Sequence, residues 1–362
     1  MPLALLGDWR DEDLGLLTFN DLPVSQKIKK IFFWTKVILT PIIKLFFRLR
    51  KKHQEILILE YGLQKNLKIR DFLEMAKPDI GVVTAVGDIP AHVEFWSGPW
   101  AVAREKSKVV ECLDSDGFAV LNFDDEAVLE MKKRTRARII TFGFGPGADV
   151  RIMNFENQFE NPESYGINFK IGYGGSVVPV KLRNVFGKAE AYAASAAVCI
   201  GLIFDLNLVE IAEALQSSHS LYSGKRILKG VKETVIIEDL SDVSPLSMDE
   251  AIHVLGEFRD RRKIAVLGDM LDLGKWSIEA HEAIGRLTST TVDLLFTVGP
   301  RGKLIAEGAR EGGLFKNKIL SYDTSVEAGR KLQDLLKKGD AVLITGAREL
   351  RMGEVVEEVK SN

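Results

Sequence analysis

From residue 55 onward the chain alternates short runs of β-branched and aliphatic residues with stretches whose apolar positions recur every three or four residues. EILILEYG, IGVVTAVG and GFAVLNF predict strands, and DFLEMAK and AVAREKSKVVECL predict helices between them. That alternation builds a parallel sheet with covering helices. Residues 138–185 change character: RIITF, VRIMNF, INFKIGY and VVPVKL, separated by Gly, Pro and Asn, predict an antiparallel β extension. Helices are predicted over 188–204 and 208–216. The stretch 217–225, rich in Ser and Gly, reads as a linker with its boundary near Ser220, giving domains 1–219 and 220–362. The alternation then restarts, with strands ETVIIED, KIAVLGD, LLFTVG, KILSY and AVLITG separated and followed by helices over 247–259, 277–288, 301–311, 325–337 and 352–359. Five strands with intervening helices predict a doubly wound α/β domain.

Length agrees with two domains, since 362 residues exceed one ordinary domain. The 46% apolar and 28% charged residues exclude a disordered or fibrous chain. Lys and Arg (49) nearly balance Asp and Glu (51), so no general basic field points to nucleic acid. Cys112 and Cys199 are too few for a disulfide framework and indicate a reducing compartment, so the expected location is the cytoplasm. Residues 1–7 lack the basic region of a signal peptide. One local signal stands out: residues 26–53 carry nine Lys and Arg, no acid, and many Phe, Ile, Leu and Trp. That composition fits a helix lying on the inner membrane surface, or a pair of core helices split at Pro41. Lys36, Pro41 and Lys44 interrupt it too often for a membrane span.

Candidate chemistry sits at strand ends. Glu60 closes EILILEYG and His92 follows IGVVTAVG, where a carboxylate and an imidazole can share a divalent metal. Lys106, within AREKSK, reads on its own as part of a solvated helical face. Gly268, Asp269 and Gly274 of VLGDMLDLG, with His281 downstream, form a strand-end loop before a helix, either a ligand site or a tight turn. The run Gly143-Phe-Gly145-Pro-Gly147 imitates a dinucleotide fingerprint, but Pro146 and the strand-like DVRIMNF follow it where a helix N-terminus is required. It reads instead as a turn between strands.

The strings EILILEYG, KPDIGVVTAVGDIPAHVEF, AVAREKSK, AVLNFDDEAV and VLGDMLDLGKWSIEAHEAIG are similar to those of the Mur ligases, and the resemblance runs from about Pro2 to Val359. It implies an α/β fold with a P-loop-type central domain, incomplete here, followed by a Rossmann-like C-terminal domain. The implied reaction is ATP-dependent amide-bond formation in peptidoglycan precursor synthesis, joining D-alanyl-D-alanine to a UDP-N-acetylmuramoyl-tripeptide through an acyl phosphate, with Mg²⁺. By position in the motifs, Glu60, His92 and Lys106 correspond to metal-site residues. Lys106 matches a lysine that is carbamylated, and the resemblance implies that both Lys106 and His92 are catalytic. Asp239, Asp242 and Lys225 correspond to cofactor-binding positions, and Asp269, Met270, Gly274 and His281 to substrate-binding ones.

Departures accompany the matches. No Gly-Lys-Thr phosphate loop occurs in the sequence, and residues 2–7 resemble a stretch downstream of it. Ala85 stands where the family has Asn, Asp239-Leu-Ser241-Asp242 where it has Asp-Ser-Tyr-Asn, and Thr345-Gly346-Ala347 where it has Lys-Gly-Ser. Ala189 or Glu190 stands where a His is expected. Two readings follow: a ligase whose phosphate loop lies elsewhere, including on a partner chain, or a non-catalytic descendant that binds or scaffolds.

Overall fold

The computed structural model describes residues 56–63, 68–217, 225–240 and 243–361. It forms two compact units: Met1–Leu63 with Lys68–Lys77, and Gln64–Leu67 with Pro78–Asn362. Residues 1–7, the basic segment 26–53, the expected linker around Ser220, and Ser241 and Asp242 lie outside the described residues.

In the first unit, a one-turn helix α1 (Ile69–Leu73) is held beside the preceding segment. Tyr61 stacks on Phe72 and its hydroxyl donates to the Ala76 carbonyl at 3.1 Å. The strand expected from EILILEYG does not form: residues 56–63 are irregular, with Ile56, Leu57 and Ile58 exposed. A run of β-branched and aliphatic residues becomes a strand only where a neighbouring strand takes its backbone hydrogen bonds, and none pairs with it among the described residues.

The second unit holds two six-stranded sheets. The first runs β1 (Ile80–Val83), β2 (Phe118–Asn122), β3 (Arg138–Gly143), β4 (Val150–Asn161), β5 (Ser164–Tyr173), β6 (Ser176–Arg183) in that spatial order. β1, β2 and β3 are parallel, and helices α2 (Pro99–Glu111) and α3 (Glu126–Leu129) lie between them in the chain. RIITF therefore belongs to the parallel part, and the antiparallel extension begins only at β4. The β4–β6 face packs Ile152, Ile167, Phe169 and Val180 against Ala194 and Val198 of α4 (Lys188–Ile203) and Ile211 of α5 (Leu208–Ser217). The other core, Val83, Leu121, Val128 and Met131, closes on Val110 of α2.

The second sheet has the order β11 (Ile319–Tyr322), β10 (Leu294–Val298), β9 (Lys263–Gly268), β12 (Ala341–Thr345), β8 (Val235–Asp239), β7 (Lys225–Lys229). All neighbours are parallel except β7 against β8. Every residue of β8, β10 and β12 is buried, the pattern of strands covered on both faces. The connecting helices are α6 (Pro245–Gly256), α7 (Ser277–Ser289), α8 (Gly302–Glu311), α9 (Ser325–Leu335) and α10 (Gly353–Val359). Sequence reasoning found five of these six strands and missed β7, KRILK, an amphipathic antiparallel edge strand with only Ile227 buried. Helices α7 and α8 touch backbone to backbone: a Cβ at Gly285 would stand 2.1 Å from the Ile305 carbonyl oxygen, and one at Gly308 2.1 Å from that of Glu282.

Candidate functional site

The loop after β1 is pinned before it carries any chemistry. The Asp125 carboxylate accepts from the amides of Val86 (2.6 Å) and Gly87 (3.0 Å), and caps α3 through the Val128 amide at 3.1 Å. Asn122, at the end of β2, donates to the Thr84 carbonyl at 2.8 Å. Lys106 reaches this loop from α2, its Nζ donating to the Ala85 carbonyl at 2.8 Å. It is not on a solvated face. Burial pushes its ammonium below the usual lysine range, and the Asp125 charge only partly offsets that.

Further along the same loop, His92 adopts a left-handed conformation (φ 61°) and its Nδ1 lies 2.9 Å from Asp272 Oδ2. Asp272 belongs to the loop GDMLDLG after β9, so the contact joins residues 180 positions apart. The Glu94 amide donates to the Asp272 carbonyl at 3.0 Å. Gly274 (φ +52°) sits so close that a Cβ would stand 3.1 to 3.3 Å from Glu94 atoms, so glycine suits both the angle and the space. The two loops singled out by the sequence thus meet. Asp272 is the residue sequence reasoning missed; its signal was the second acid of DMLDLG.

The rest of that loop is internally satisfied. Asp269 is buried, its Oδ1 accepts from the Gly302 amide at 2.7 Å, and its carbonyl accepts from the Ala347 amide at 3.0 Å. Burial raises its carboxyl pKa, with the Gly302 amide and Arg301 pulling the other way. His281 is fully buried: Nδ1 donates to the Ser277 carbonyl at 2.6 Å and Nε2 accepts from the Met270 amide at 3.0 Å. Burial lowers its pKa, which keeps the ring neutral for both bonds. Met270 is also fully buried. In this arrangement Asp269, Met270 and His281 shape the loop, and its exposed groups lie around Asp272 and Gly274.

Lys225, on β7, faces three carboxylates: Asp239 Oδ2 at 3.5 Å, Glu250 Oε2 at 3.8 Å, and Glu190. Burial alone would lower its pKa, but together the three acids raise it. Glu190, beside them, is pushed up by burial and by Glu250 and Asp239 against the pull of Lys225. The other Glu250 oxygen accepts from the Ala189 amide at 2.6 Å, at the start of α4. The glycine turn is equally committed, since the Asp124 carboxylate accepts from the amides of Phe144 (2.6 Å) and Gly145 (2.8 Å) and from the Tyr192 hydroxyl (2.9 Å). Its free backbone donors hold a protein carboxylate where a nucleotide motif would hold phosphate. Those amides therefore do not fit ATP phosphates as they stand.

Glu60 lies in the first unit, exposed on irregular backbone rather than at a strand end. Asp242 lies outside the described residues. Among the described residues no three His, Cys, Asp or Glu side chains form a metal cluster. A cleft of about 320 Å³ lined by Asn157, Phe159, Glu257, Phe258 and Arg261 contains none of the residues named from the sequence. No helix among the described residues is long and apolar enough to cross a membrane.

Strand-end loops of two sheets, one mixed and one mostly parallel, thus meet at His92, in keeping with the expected two-sheet α/β fold. Comparison with known families agrees: residues 39–201 match the Mur ligase middle domain, and residues 226–348 match the Mur ligase, glutamate ligase domain. The chain belongs to the Mur ligase family. Among its relatives is the UDP-N-acetylmuramoyl-tripeptide--D-alanyl-D-alanine ligase of Bacillus subtilis (strain 168), 26% identical over 310 residues, covering 85% of this chain and 65% of the relative. The enzyme of that name from Mycobacterium tuberculosis (strain ATCC 25618 / H37Rv) is 27% identical over 319 residues, covering 86% and 61%. Among solved structures, MurF from Acinetobacter baumannii superposes with a TM-score of 0.68 at 23% identity, over 79% of this chain and 60% of that one. MurF from Thermotoga maritima, in complex with ADP, gives 0.67 at 22% identity, over 80% and 63%. These structures show the shared fold. The chain spans less than two thirds of the length of the curated relatives named here.

Proposed function

We propose that the protein, with domains 1–219 and 220–362, serves as a ligase that joins D-alanyl-D-alanine to a UDP-N-acetylmuramoyl-tripeptide at the expense of ATP with Mg²⁺. The observation that carries this reading is the meeting of GDMLDLG with the His92 loop, which a mostly buried lysine of lowered pKa also reaches at Ala85. Phosphorylation gives the tripeptide carboxylate a leaving group, and a metal ion offsets the charge that develops. The sequence contains no Gly-Lys-Thr phosphate loop.

Lys106 is the residue whose chemistry follows most directly. A neutral amine attacks CO₂, forming an N–C bond, leaving an anionic carbamate and releasing one proton to solvent. Burial favours the neutral amine that this step needs. The carbamate oxygens supply the charge that the lysine itself lacks as a metal ligand. His92 offers the Nε2 lone pair to a cation at this site. Lys225, Asp239 and Asp242 are assigned to the nucleotide, and Gly274 with its loop to the incoming dipeptide. The sign of charge agrees at Lys225, which stays cationic among its acids.

The test is phosphate release by protein from its native source, supplied with ATP, Mg²⁺, the UDP-tripeptide and D-alanyl-D-alanine. Release that requires both peptide substrates and yields the pentapeptide product by mass supports the reading. Turnover that appears only on adding a second native chain identifies a partner bearing the phosphate loop. No product under either condition leaves the non-catalytic binding reading, which Ala85 and Thr345, standing where the family has Asn and Lys, favour.

A further inference from the structure

The two described histidines with ring nitrogens aimed into the GDMLDLG loop share a tautomer and differ in what remains free. A carboxylate oxygen only accepts, so the contact between His92 Nδ1 and Asp272 Oδ2 at 2.9 Å places the proton of the neutral ring on Nδ1. The lone pair then lies on Nε2, which has no hydrogen-bond partner among the described residues, on a side chain 41% exposed. In His281 the proton is again on Nδ1, but the Nε2 lone pair is spent on the Met270 amide inside the core.

The His92 contact is held by more than two exposed side chains. The Phe95 ring lies nearly parallel to the imidazole, 6.3 Å away and tilted 18°. The Glu94 amide ties the same stretch to the Asp272 carbonyl. His92 and Asp272 both hold left-handed backbone conformations, at φ 61° and 58°, which surrounding contacts must maintain.

We infer that Asp272 is a positioning residue for His92: a carboxylate from the second sheet fixes the tautomer of an imidazole in the first and leaves its Nε2 lone pair free for a divalent cation. The cation's role rests on the ligase reading; the tautomer does not. One consequence is that the imidazole is prepared only while the two loops are joined. An orienting partner of this kind is typically worth 10- to 100-fold in metal affinity.

The test is a long-range proton–nitrogen correlation spectrum of the ¹⁵N-labelled full chain, with His92 assigned by His92→Gln. Wild type is expected to show His92 protonated on Nδ1. Asp272→Gly, which tolerates the left-handed backbone, is expected to move it to the Nε2-protonated form that free imidazole side chains prefer. His281 should keep its spectrum and serve as an internal check of the fold. A wild-type His92 protonated on Nε2 overturns the inference, as does an Asp272→Gly spectrum in which His92 is unchanged. If the variant loses its fold, with His281 shifting too, the wild-type tautomer decides alone. Added Mn²⁺ should broaden the His92 resonances in wild type and need at least tenfold more metal in Asp272→Gly. Mn²⁺ that leaves His92 sharp in a wild type with the expected tautomer counts against the metal assignment of the ligase reading and leaves the positioning role standing.

Discussion

Lys106 and Lys225 are both mostly buried, one beside the loop after β1 and the other on the edge of the second sheet, yet their surroundings move them in opposite directions. Lys106 meets one carboxylate, Asp125, whose oxygens are already engaged by three backbone amides, so burial prevails and the neutral amine gains. Lys225 meets Asp239, Glu250 and Glu190, and the cation is held. Burial alone therefore does not decide the state of a lysine; the number of acids facing it does. The first arrangement suits a nucleophile toward CO₂, and the second suits a fixed positive charge.

The comparison breaks most readily on the Lys225 side. Asp239→Ala should lower the free energy of unfolding by about 3 kcal/mol, the lower end of the cost of stranding a buried charge, because Glu250 and Glu190 remain. A denaturant titration measures it, and a change under about 1 kcal/mol would mean that the pair is screened like a surface one. On the other side, Lys106→Met exchanges a poorly accommodated ammonium for a similar apolar volume and should change stability by less than about 1.5 kcal/mol. The same variant should abolish a carbamate carbon resonance that wild type shows with ¹³C-bicarbonate; no such resonance in wild type would remove the carbamylation proposal.

The smallest effect is the most diagnostic. Lys106 has a folded pKa below 10.5, so the unfolded chain holds its proton longer, and wild type should gain stability relative to Lys106→Met as pH rises from the lowered value to 10.5. Lys225 has a folded pKa above 10.5, so its contribution is complete below 10.5 and fades as pH climbs through the folded value. The deficit of Lys225→Met relative to wild type should therefore shrink over that higher window. Parallel slopes for the two variants would erase the contrast.

Much of the fold was written in local pattern. β8, β9, β10 and β12 each carry a run of three or more apolar residues because parallel strands covered on both faces require it. KRILK escaped because an edge strand with one buried residue carries little such signal, and ILIL misled because an apolar run does not reveal whether a partner strand exists. The site was legible as two loops and illegible as a contact. Nothing local to His92 names Asp272, and nothing in AREKSK shows that Lys106 turns inward toward Ala85 while its neighbour Arg104 lies over Trp100. Residue types were readable; their partners were supplied by topology.

The bare contact of α7 with α8 at Gly285 and Gly308 has a mechanical meaning. At these two glycines no side chain stands between the helices, so their backbones fix each other's spacing directly, and α7 carries the His281 that accepts from the Met270 amide. The GDMLDLG loop is bolted to that pair. A methyl group added at either glycine would meet a backbone oxygen at 2.1 Å and should act as a wedge, shifting a loop that neither glycine touches through its His281 anchor.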